Sequence, residues 1–148
     1  MIFQHIFVPM DGSRLSETSA VKAVEMAKES GARITAFHAK PTYLNSPLGE
    51  SSIFHSMTQD TFDKVVEKEA AKVLDFITAR CAEAGVPCDT ITIDSDFPAE
   101  AIVQASAQCG ADLIFMATNG RKGIKGMLIG SETRKVINFS KIPVLVHR

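Results

Sequence analysis

The chain has 148 residues, 45% hydrophobic and 22% charged, with a formal net charge of −1, so it fits one domain of roughly 100 to 200 residues that can bury a full core. The near-balanced charge, with no local run of one sign, offers no attraction for nucleic acid or an anionic membrane surface, and no stretch reaches the ~18 apolar residues of a membrane span. Three cysteines, Cys81, Cys88 and Cys109, are odd in number and show no C-x-x-C pairing, so neither a disulfide framework nor a zinc site is indicated and they read as small core residues of a reducing cytoplasm.

The opening M-I-F-Q-H-I-F-V-P-M lacks a cationic leader and runs directly into D-G-S, so the chain is expected to be cytoplasmic and unprocessed. Phe3 to Pro9 is a short apolar run of β-formers, and Asp11-Gly12-Ser13 after it is turn chemistry. From Ser16, with Glu17 in the first turn, Ala20, Ala23, Val24 and Ala27 recur at helical spacing until Gly31. Ala32 to Ala39 resumes strand character and Pro41 punctuates it. Residues 41–57 carry proline, glycine, asparagine and serine with no sustained period, a loop long enough to be functional, for example as a lid.

From Thr58, the positions Phe62, Val65, Val66, Ala70, Val73, Leu74, Ile77 and Cys81 keep helical spacing as far as Gly85. Val86 to Ile93 alternates as a strand, and Pro98 at a first helical turn opens a helix over Ala99 to Gln108. Asp112 to Met116 is a nearly all-apolar strand of the buried parallel kind. A helix over Ser131 to Phe139 and a last strand over Ile142 to Val146 complete a β-α-β-α-β-α-β-loop-α-β order. Such alternation predicts right-handed crossovers and a parallel sheet covered on both faces, with ligand sites beyond the carboxyl ends of the strands.

The stretch M-A-T-N-G-R-K-G-I-K-G-M-L-I-G-S from Met116 to Ser131 leaves the fourth strand and reaches a helix start. Its glycines permit close backbone approach, Arg121 and Lys122 favour an anion, and Ser131 suits either an N-cap or a phosphate contact at a helix N-terminus. Neither G-x-x-x-x-G-K-[ST] nor G-x-G-x-x-G is present, so a nucleotide site here is of another type.

Four segments together, F-V-P-M-D-G-S, S-D-F-P-A-E-A-I, A-T-N-G-R-K-G…G-S and P-V-L-V, resemble the universal stress protein family over the whole length. Its ATP-binding members look like G-x-x-G, nine residues, then G-[ST]. Here the spacing holds as Ala117-x-x-Gly120, nine residues, Gly130-Ser131, with the first glycine replaced by Ala117. The resemblance implies a Rossmann-like, adenine nucleotide alpha hydrolase-like α/β fold: an open five-stranded parallel sheet in order 3-2-1-4-5 with helices on both faces. It also implies that the strand end Pro9 belongs to a nucleotide site, with adenine near Ala39 and Met116 and ribose near Asp11 and Ala117. Phosphates would lie on Gly120, Gly130, Ser131 and the amide of Glu132. The implied ligand is ATP with Mg2+ or Mn2+, the cation helped by Asp11.

Taken alone, Asp11 equally suits a carboxylate capping the turn before the first helix, and Pro9 denies it the second aspartate of an aspartyl phosphotransferase. His38 suits a satisfied core position, while His5, His55 and His147 are too dispersed for a metal cluster. No nucleophile elbow, paired-carboxylate motif or Cys-His arrangement is present, so no catalytic residue is assigned and hydrolysis of ATP would be slow. The functional expectation is an ATP-binding regulatory protein of the stress response. The alternatives are a non-nucleotide interaction module of the same fold and a weak ATPase. A homodimer through strand 142–146 is expected, because a bare apolar edge invites pairing.

Overall fold

The computed structural model of the chain describes residues 2–42, 58–118 and 129–148. Within them the elements run β1 His5–Pro9, α1 Arg14–Ser30, β2 Arg33–Lys40, α2 Gln59–Ala84, β3 Cys88–Asp94, α3 Pro98–Gln108, β4 Leu113–Ala117, α4 Ser131–Phe139 and β5 Val144–His147. All pairings are parallel, and the sheet order is β3-β2-β1-β4-β5. The expected alternation and order are both present, and the order reverses between β1 and β4.

Central strands of a parallel sheet are buried on both faces and are therefore apolar without alternation. β1 shows this: Ile6 and Val8 face one core with Ala20, Ala23 and Ile77, while Phe7 between them faces a second core with Ile102, Ala105 and Val136. α1 and α2 thus cover one face, and α3 and α4 the other. Edge strand β3 instead keeps Asp89, Thr90, Thr92 and Asp94 exposed, the alternation of a half-covered strand.

Local chemistry sets the ends. Ser13 caps α1, its Oγ accepting the Ser16 N–H at 3.1 Å, so the helix begins at Arg14 rather than at Ser16. Thr58 caps α2 in the same way, accepting the Thr61 N–H at 3.2 Å. The strand over 86–93 begins at Cys88, and the one over 142–146 at Val144, because the residue before each is a proline. Pro87 and Pro143 each accept through their carbonyls, from Ile34 and Ile114 at 2.9 Å, but have no N–H to give the ladder. At the opposite end of the sheet from the crevice, the Asp112 carboxylate accepts the Gln4 and His5 N–H groups at 2.9 and 3.0 Å, fixing the start of β1 beside β4.

Candidate functional site

The carboxyl ends of β1, β2 and β4 open on a cavity of about 350 Å3 at the point where strand order reverses, where doubly wound sheets take ligands. Pro9, Asp11, Ala39, Met116, Ala117 and Glu132 all line it. Six of the nine residues predicted from sequence are therefore brought together. Gly130 and Ser131 stand at the start of α4 beside it without lining it, and Gly120 lies outside the described residues. The loop 41–57 likewise lies largely outside them. A larger cleft of about 750 Å3, between α3 and α4, has Glu132 in common with the cavity but holds no strand-end residue.

Each wall has a local cause. The strand-end backbone is tied across the sheet by the Met10 N–H, which donates to the Phe37 carbonyl at 2.7 Å. Beside it, His38 Nδ1 donates to the Met10 carbonyl at 2.8 Å, so His38 is the satisfied core histidine expected. Asp11 Oδ1 accepts the Ser13 N–H at 2.8 Å, which makes the carboxylate a turn cap on a residue that also lines the cavity. The apolar side is built by Phe37 and Ala39, which share one face of β2, with Met116 and Ile102 across from them.

The fourth wall is the junction between β4 and α4. The Gly130 N–H donates to Thr118 Oγ1 at 3.1 Å, and Thr133 Oγ1 donates to the Ala117 carbonyl at 3.2 Å. These two bonds join both ends of the glycine-rich connection. The N-cap of α4 is Gly130, at φ −68 and ψ 160 and with no side-chain cap, so Ser131 is the first helical residue and not the cap considered from sequence. Extended backbone at 130 with its carbonyl accepting the Arg134 N–H at 3.0 Å accounts for the shift. Glu132 Oε2 accepts the Ala99 N–H at 3.2 Å, capping α3 from a neighbouring helix where Phe97 supplies no side-chain cap.

Electrostatically, Lys40 at the end of β2 pairs with Glu67 and Asp94, and the Glu67 contact first, then Asp94, raises its pKa against the opposing effect of burial. Among the described residues no group of three or more His, Cys, Asp or Glu could hold a metal ion. Phe37, Pro98, Ile102 and Thr133 also line the cavity, and none of them is among the nine site residues predicted from sequence. Phe37 was reachable, being two residues from Ala39 on one strand, and Ile102 follows Pro98 by one helical turn. Thr118 and Thr133 carried no such signal, since their partners are 12 and 16 residues away.

A parallel doubly wound sheet with its crevice at the β1–β4 reversal defines the Rossmann-like α/β class. The universal stress protein family model matches residues 2–148, and the chain belongs to that family. It is 30% identical to the universal stress protein YxiE of Bacillus subtilis (strain 168), covering 99% of this chain and 100% of that one. A universal stress protein in complex with cAMP shares the fold at TM-score 0.75 and 23% identity, covering 100% and 99% of the two chains. The universal stress protein from Archaeoglobus fulgidus in complex with dAMP does so at 0.69 and 19%, covering 100% of each.

Proposed function

We propose that the chain is a cytoplasmic, homodimeric stress-response protein that binds an adenine nucleotide, ATP by preference, in the β1–β4 crevice, and regulates through its occupancy. One observation carries the reading: Asp11, Ala39, Met116 and Ala117 converge on a single cavity whose far side is the amino end of α4. An apolar slot with a few convergent polar groups is the usual form of a small-molecule site. The base would lie against Ala39 and Met116, and the ribose by Asp11 and Ala117. The phosphates would meet the amide-rich start of α4 together with Gly120 and Ser131. A divalent cation, Mg2+ or Mn2+, would arrive with the triphosphate, Asp11 being the carboxylate at hand; no all-protein metal cage exists among the described residues. Relatives that bind cAMP and dAMP support the adenine assignment.

The interaction-module reading has one observation in its favour: the Gly130 N–H is already accepted by Thr118, so phosphate contact there requires that bond to be shared or exchanged. Thermal melting with Mg-ATP decides between the two. A ligand binding only the folded state stabilises by RT ln(1 + [L]/Kd), about 2.7 kcal/mol at ~100 times Kd, which raises the melting temperature visibly. Gly130→Val, which φ −68 admits without backbone strain, is expected to abolish the shift by blocking close approach, with circular dichroism checking that the buried position still folds. An unchanged melt of the parent in millimolar Mg-ATP sinks the nucleotide reading and leaves the interaction module.

A further inference from the structure

Cys81 stands in the last turn of α2 and Cys88 opens β3. The connection folds back on itself: Gly85 is left-handed at φ 73, and the Val86 N–H returns to the Cys81 carbonyl at 2.9 Å. Cys88 therefore re-enters the sheet beside the helix end that holds Cys81. Cys81 is buried in the core between α1, α2 and the sheet, at 1% exposure, and Cys88 packs against that same core. Because β3 is an edge strand, Cys88 remains partly open to solvent. Cys88 Sγ donates to the Asp89 carbonyl at 3.7 Å, and the two thiols lie near enough to influence one another's charge. The nearby Cys88 sulfur, then burial, pushes the Cys81 thiol up, and the Cys81 sulfur draws the Cys88 thiol below its ordinary value. The pair is asymmetric, with one reachable sulfur biased toward thiolate and one buried sulfur against it. Cys109 differs: it ends α3 on the other face of the sheet, and its Sγ donates to the Ser106 carbonyl at 3.5 Å.

We propose that Cys81 and Cys88 are an oxidation site that closes into a reversible intramolecular disulfide when the protein meets a peroxide. Two cysteines that pack on one core from either side of a tight helix-to-strand turn need less backbone movement to join than widely separated ones would. In the first step the Cys88 thiolate attacks a peroxide oxygen; the S–O bond forms as the O–O bond breaks, and hydroxide leaves. In the second step the Cys81 sulfur attacks the Cys88 sulfenic acid; the S–S bond forms as the S–O bond breaks, and the departing hydroxyl takes the Cys81 proton and leaves as water. Both sulfurs are oxidised and hydrogen peroxide is reduced to water. A low-pKa accessible thiol next to a resolving cysteine is the arrangement that such chemistry selects.

The test treats the full-length chain with graded hydrogen peroxide, denatures it in an alkylating reagent and measures intact mass. The expected product has lost two hydrogen atoms and carries one alkyl group where the reduced chain carries three, and dithiothreitol restores all three. Cleavage after Glu83, between the two cysteines, leaves the fragments joined. Cys109→Ser retains the bond, and Cys88→Ser prevents it and leaves Cys81 alkylatable after denaturation. The proposal is overturned if Cys88 passes to sulfinic or sulfonic acid with Cys81 still alkylatable. It is equally overturned if the cross-link involves Cys109 or a second copy of the chain, or if all three thiols survive.

Discussion

Ala117 replaces the first glycine of the pattern that ATP-binding relatives look like, and its backbone decides what the methyl costs. No non-glycine residue among those described has positive φ, so Ala117 avoids the roughly 1 kcal/mol that a left-handed alanine would incur. Its effect is confined to the space a ligand would use. Ala117→Gly is therefore expected to leave stability within about 1 kcal/mol while tightening Mg-ATP binding several-fold in calorimetric titration; an unchanged or weaker affinity would show that the methyl does not crowd the ribose. Gly12 behaves oppositely. It has φ 83, and an added Cβ would meet Val73 Cγ2 at 3.1 Å, so Gly12→Ala should lower unfolding free energy by at least about 1 kcal/mol in urea titration. Asp11, Ala39 and Met116 were legible from sequence because they sit at strand ends in a fold that puts strand ends together. Thr118 and Thr133 were not, because a threonine acquires its role only from a partner brought near by tertiary structure.

Element identity was legible throughout, from Phe62 to Cys81 on α2 and from Leu113 to Met116 on β4, because buried stripes and runs repeat with the period of the backbone that carries them. Element ends were less so, and Pro87 and Pro143 show why: apolar side chains begin each run before the first residue able to donate to the ladder. The far end of the sheet offers a pH test. His5 is buried at 4% exposure and its Nε2 meets Thr35 Oγ1 at 2.7 Å. Burial first, then the nearby Arg33 charge, lowers its pKa below 6.5, against Asp112 and Asp89. A lowered histidine pKa means that the unfolded chain binds the proton more readily. The contribution is complete above the ordinary value and is lost as pH falls below it and through the depressed folded value. Between about pH 7.5 and about pH 5.5 the parent should lose more melting temperature than His5→Gln, whose amide stays neutral; equal losses would remove His5 as the cause.

At the scale of the whole molecule the two sheet edges differ. β3 exposes Asp89 and Asp94 along its rim, charges that discourage pairing with another strand. β5 presents Val144, Leu145 and Val146, all half-buried, at the other rim. The homodimer proposed above is therefore expected to form through β5, in a two-fold arrangement. Light scattering at tens of micromolar protein should give twice the mass of the 16.0 kDa chain, and a single-chain mass at that concentration would refute it. The alternation over 86–93 and the apolar run over 142–146 already set these segments apart in the sequence, and strand order makes them the two outer strands.

The paired threonine bonds at the base of the β4–α4 connection also bear on how such a protein can diversify. Thr118 and Thr133 hold Gly130 and Ala117 from outside the intervening segment, so the position of the α4 amino end is set by the frame and not by what lies between. Loop closure by itself grows slowly with length, about 0.6 kcal/mol per doubling of the number of residues enclosed. Changes of sequence or length between these two bonds are accordingly expected to spare the frame itself, so that variation there is open to the chain without loss of its fold.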